Sequence, residues 1–170
     1  MHLLVGRRDS AVSQQVYRTT VLGVPRPMGS KRILPLGAKA GGRPIIVDVK
    51  DASLRSWQGD VRAALAGNGP PTPVNAAVYV RISFIFPRSL AHYGTGRNAG
   101  KLKPSAPEWC AVTPDIDKLE RAIYDCLTGT WIVDDSRIVS KSAVKAYTNV
   151  LRPNPGCLIE LGVIEGGYYE

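Results

Sequence analysis

Two acidic doublets stand out in the chain: Asp115 and Asp117 in PDIDKLERAIYDCL, and Asp134 and Asp135 in WIVDDSRIV, the second doublet starting 17 residues after the first ends. Carboxylates brought within a few ångströms of one another repel and raise a pKa unless a cation sits among them. For an all-oxygen site that cation is Mg²⁺, with Mn²⁺ as a substitute, because zinc prefers His or Cys ligands and no His lies near this stretch. Each doublet also has a plain structural meaning. Asp in a first helical turn is a common cap, and Asp-Asp-Ser is an ordinary turn. The pairing of the two doublets, with Arg121 on the same helix face as Asp117, is the more specific signal.

The elements that position these acids are legible locally. Ile116, Leu119, Ala122, Ile123, Cys126 and Leu127 recur with the 3.6-residue period of a helix and predict one over residues 114–128. Thr113 is the expected N-cap, Pro114 suits the first helical position, and Gly129 suits the left-handed position after the last turn. Asp115 and Asp117 then flank Ile116 in the first turn, where the helix dipole favours anions. After Gly129 the chain becomes rich in β-branched and aromatic residues around Asp134 and Asp135, which reads as an acidic turn entering a strand over Ile138 to Tyr147.

PDIDKLERAIYDCL followed by WIVDDSRIV resembles the signature of the RusA-type Holliday-junction resolvases, endodeoxyribonucleases of phage and prophage origin. The resemblance covers residues 113–147 most closely and implies a catalytic magnesium cluster of Asp115, Asp117 and Asp135, with Asp134 as neighbouring ligand. It also implies roles for the residue four places after Asp117 and for Lys145. The first of these is commonly Lys in the family and is Arg121 here, which can fork onto a phosphate but cannot serve as a proton donor. The substrate implied is branched DNA, cut in pairs by a homodimer.

At 170 residues the chain suits one domain with a real core, and 44% hydrophobic against 21% charged residues is a globular composition. No apolar run reaches the length of a bilayer span and the N-terminus lacks a signal-peptide core, so no membrane association and a cytoplasmic location are expected. Cys110, Cys126 and Cys157 are odd in number and unpaired in spacing, which predicts reduced thiols. A net charge of +8, with pI near 9.6, predicts a polyanionic partner whose binding weakens with salt.

The remaining chain supplies the framework. Residues 1–15 read as a loose arm, 16–165 as the endonuclease domain and 166–170 as a tail. Strands are expected at Tyr17 to Val24, Pro44 to Val49, Ala76 to Phe86 and Cys157 to Ile164, and a helix at Ala52 to Ala66. The loop PRPMGSKR offers Arg26, Lys31 and Arg32 to DNA phosphates. Residues 87–112 form a long loop without periodicity whose Arg97, Lys101 and Lys103 suit a basic flap on nucleic acid. Its GTGRNAG lacks the spacing of a dinucleotide fingerprint, so no nucleotide cofactor is expected. Asp48-Val49-Lys50 imitates half of a PD-(D/E)xK core but precedes Asp115 instead of following it. The expected fold is α+β and RusA-like: one domain, a mixed sheet of about five strands, and two helices packed on one face. Two rivals stand beside the nuclease: a non-catalytic basic DNA-binding module whose acids are caps and turns, and a magnesium-dependent hydrolase of small phosphorylated substrates.

Overall fold

The computed structural model describes residues 15–29, 31–34, 45–48 and 52–164. Six strands and two α-helices follow in the order β1 (Val16–Leu22), β2 (Lys31–Leu34), β3 (Ile45–Asp48), α1 (Ala52–Asn68), β4 (Val78–Phe86), α2 (Ile116–Leu127), β5 (Ile138–Tyr147) and β6 (Gly156–Val163). The expected arm falls outside the described residues except for Gln15, whose carbonyl accepts from the Val163 N–H at 3.1 Å and prolongs the β1–β6 pairing. The expected tail lies outside them altogether.

The main sheet has four strands, in the order β1-β6-β4-β5, with β4 and β5 parallel and the other neighbours antiparallel. It is mixed, as the sequence implied. The count of about five strands needs correction: among the described residues β2 and β3 pair only with each other, as a separate antiparallel ribbon. Lys31 and Arg32 therefore sit on strand β2 and not in a loop, and Asp48 is the last residue of β3, paired with Lys31. The Pro/Gly cluster that reads as one loop is long enough to lead into a hairpin of its own.

Alternation along β4 sends Val78, Val80, Ile82, Phe84 and Phe86 to one face, where all are buried, and the helices cover that face. From α1 come Leu54, Trp57, Val61 and Leu65; from α2 come Leu119, Ala122, Ile123, Cys126 and Leu127, all fully enclosed in the α2 set. Removing side chains of this size from water contributes about 1.5–3 kcal/mol each. Trp131 closes the end of the core by donating its indole N–H to the Leu65 carbonyl at 2.7 Å, satisfying the one polar atom it buries. The three cysteines are free, as expected, and all are buried; burial pushes the Cys126 thiol up to about 11.

Candidate active site

Helix α2 is the crossover between two parallel strands, so it runs antiparallel to both. Its start differs from the expectation. Asp115, not Thr113, is the N-cap residue, extended at φ −66° and ψ 141°, and its side chain caps no amide. Pro114 lies outside the helix after a cis Thr113–Pro114 bond. Ile116 is 38% exposed, so the apolar stripe begins at Leu119. Gly129 takes the left-handed conformation expected of it, φ 77°.

Freed from capping, the Asp115 carboxylate meets the Lys118 ammonium at 2.9 Å. That hydrogen bond, then the charge of Lys118, and further off that of Lys145, hold the Asp115 carboxyl below the usual carboxylate range. Asp117 is the acid of the first turn and is exposed, and Arg121 follows it one turn later with no hydrogen-bond partner among the described residues. Lys145 of β5 reaches the same place. Its ammonium donates to the carbonyls of Val112 and of Pro114 (2.6 Å to Pro114), the last residues before the acid pair. The Trp109–Ala146 bridge lays the segment leading into α2 against the end of β5. Lys145 thus fixes the approach to Asp115 and keeps one of its three donors in reserve.

The loop after β1 arrives from the other side. The Met28 N–H donates to the Lys118 carbonyl at 2.9 Å, which brings the exposed Arg26 to the first turn of α2. Asp115, Asp117, Lys118, Arg121, Lys145 and the Arg26 loop are therefore one neighbourhood.

Asp134 and Asp135 do not join it in a single chain. Lys145 bonds to Pro114 ahead of the helix, and Lys141, four residues earlier on β5, bonds to Glu120 at 2.8 Å. Moving back along β5 therefore moves forward along α2. The acidic turn precedes Ile138 and so sits beside the far half of a helix that is about 18 Å long at 1.5 Å per residue. The Asp134 carboxylate caps the short 3₁₀ turn Asp135–Arg137 by accepting from the Ser136 N–H at 3.0 Å, and the Ser136 side chain, then that N–H, hold its carboxyl below the usual carboxylate range. Among the described residues no group of three or more His, Cys, Asp or Glu side chains is arranged to hold a metal ion.

Residues 87–112 are more ordered than a loop without periodicity suggests. They contain two 3₁₀ turns, Leu90–His92 and Gly96–Asn98, and bridges Tyr93–Leu102 and Gly94–Ala99. Arg88 donates to the Pro107 carbonyl at 2.8 Å and to the Thr148 carbonyl at 3.0 Å. Lys103, expected on DNA, gives its ammonium to the Ala91 carbonyl at 2.9 Å, whereas Arg97 and Lys101 are exposed near the tip.

Lys118, beside Asp115, and Glu120 both escaped the sequence reading. Glu120 is only 5% exposed and accepts from Lys141 and, at 3.1 Å, from the Tyr124 hydroxyl. Its acidic character on an otherwise polar helix face hid its burial, and the signal was Lys141 at the same strand parity as Lys145.

A family profile for endodeoxyribonuclease RusA matches residues 26–156. The chain belongs to the RusA endodeoxyribonuclease family. The match spans the Arg26 loop, both helices, β4 and β5, and so takes in the whole neighbourhood around Asp115 and Asp117. Membership makes the chain an endonuclease of DNA; RusA nucleases act on branched junctions and are generally dependent on a divalent metal. No curated protein shows significant similarity to the chain. Among the described residues no helix is long and apolar enough to cross a membrane.

Proposed function

We propose that the chain is a Mg²⁺-dependent, structure-specific endonuclease that resolves four-way DNA junctions by paired phosphodiester cuts as a two-fold homodimer. The observation that carries this reading is the exposed pair Asp115 and Asp117, set beside Lys118, Arg121 and Lys145 within the span that matches the RusA family.

The donor set suits a hard divalent cation. Mg²⁺ keeps several waters and is held by one or two carboxylates together with substrate phosphate oxygens, so two exposed Asp side chains without His or Cys are sufficient. Such an ion supplies Lewis acidity at the phosphodiester and a water of lowered pKa. Lys118 keeps Asp115 ionised as pH falls, and Lys145 holds the backbone ahead of Asp115 in place. Arg121 presents a guanidinium fork to the non-bridging oxygens of the scissile phosphate. Arg26, Arg97 and Lys101 add phosphate contacts farther along the DNA, while the side chains of Lys31 and Arg32 lie outside the described residues. Asp135 shares the ion held by Asp115 and Asp117 only if it comes from the second chain of the dimer.

The rival is a basic DNA-binding module, favoured by the capping bond of Asp134. Asp117→Asn separates the two: cleavage of a four-way junction is lost while binding measured in Ca²⁺ persists. Unaltered cutting removes Asp117 from the chemistry.

A further inference from the structure

The helices cover one face of the main sheet, and the residues of opposite parity form a second face. Register places Arg18 of β1 opposite Glu160 of β6, and Glu160 opposite Arg81 of β4, in one row across three strands. Glu160 accepts from Arg18 Nε at 2.7 Å, from an Arg81 terminal nitrogen at 3.2 Å and from the Tyr79 hydroxyl at 3.1 Å. The Arg81 guanidinium lies 4.9 Å from the centre of the Tyr79 ring. Tyr79 lies flat over the neighbouring strand because residue 162 is glycine: a Cβ there would stand 2.2 Å from the ring.

This arrangement orients cations without consuming them. Glu160 takes one donor from each guanidinium, and the Arg18 and Arg81 side chains remain 71% and 68% exposed. They border a cleft of about 550 Å³ that also holds Arg152, Thr20 and Ser83, with Leu158 on its floor. Three guanidiniums thus face one carboxylate. Exposed ion pairs contribute little to stability, which does not account for a surplus of braced arginines. Guanidinium forks with flanking hydroxyls are the donor set that binds phosphodiester oxygens.

We propose that this cleft binds the phosphate backbone of a DNA arm other than the one lying at Asp115 and Asp117. It rests on the junction-nuclease reading: the cleft and the acid pair are on opposite sides of the sheet, and a four-way junction offers separate arms to each. A second copy of the chain is the competing occupant, disfavoured by the charge of the row, which would face itself across a two-fold axis.

The test compares wild type, Arg18→Ala/Arg81→Ala, Arg152→Ala and Asp117→Asn in Ca²⁺ over a range of salt, using four-way junction and plain duplex. The double variant should bind the junction at least ~10-fold more weakly at 0.15 M salt, with the log-log salt slope reduced by about 2, and Arg152→Ala should reduce it by about 1. Arg152 is on a loop, so its variant guards against misfolding of the strand substitutions. Unchanged affinity and slope in both variants, or conversion of a dimer to a monomer by them, overturns the proposal. With Ca²⁺ replaced by Mg²⁺, cutting by Asp117→Asn at the wild-type rate, with affinity still lost in the arginine variants, would sink the active-site reading and leave the cleft standing.

Discussion

The two ends of α2 each carry an Asp doublet, and the fold treats them differently. At the first turn, Asp115 and Asp117 are left uncapped, faced by Lys118 and approached by Lys145 and the Arg26 loop. Beyond the last turn, Asp134 spends its carboxylate on Ser136, with Arg137 as a nearby charge. The difference comes from the crossover. A helix that links parallel strands must run back along the sheet, so the residue β5 returns to the start of α2 is Lys145, at its far end, and not the acidic turn at its beginning. Identical residue types are therefore set beside cations at one end and built into a turn at the other.

The largest expected effect breaks this comparison most directly. Asp117→Asn should lower junction cleavage on the order of 10²-fold or more, as loss of several kcal/mol of charge stabilisation requires. Mixing Asp117→Asn chains with Asp135→Asn chains should restore nicking of one strand if Asp135 serves the ion across the dimer; absence of any restoration in a strand-nicking assay would confine Asp135 to its turn. Lys145→Met comes next. It frees the carbonyls of Val112 and Pro114 and should reduce kcat about 10- to 100-fold, a loss typical of groups that orient metal ligands, while the salt slope of binding stays constant. Equal loss in kcat and in the salt slope would make Lys145 a phosphate contact instead.

Smaller effects sharpen the contrast. Lys141→Met leaves Glu120 buried without its cation and should cost about 1–3 kcal/mol, seen as a lower Tm, with Glu120→Gln in the same chain recovering part of the loss. The smallest concerns pH. Lys118 depresses the Asp115 pKa, so the ionised form persists as pH falls until the folded value is passed. Lys118→Met raises that value, and the acid limb of the cleavage profile should move toward higher pH.

Much of this was legible in the residues. The β5 boundaries, the α1 and β4 spans, Gly129 and the buried Cys126 thiol followed from periodicity and turn chemistry, because those properties are local. The neighbourhood of the acids was half legible. Asp115 and Asp117 follow from the helix start, whereas the position of Asp135 depends on the direction in which β5 recrosses α2, which no spacing within 113–147 reveals. Loop 87–112 lacked a period because its order comes from single bonds of Arg88, Lys103 and two short turns, each aperiodic. Glu120 was unreadable for a related reason: its cation comes from another element.

The Arg88 guanidinium grips Pro107 and Thr148 together, while Lys103 stitches the outgoing half of the loop to Ala91 and, through its N–H, to His92 at 2.9 Å. All of these fastenings lie inward of the tip around Arg97. A protease that severs the backbone after Arg97 would therefore meet a clasp that still holds both cut ends, and the nicked enzyme would travel and work as one particle.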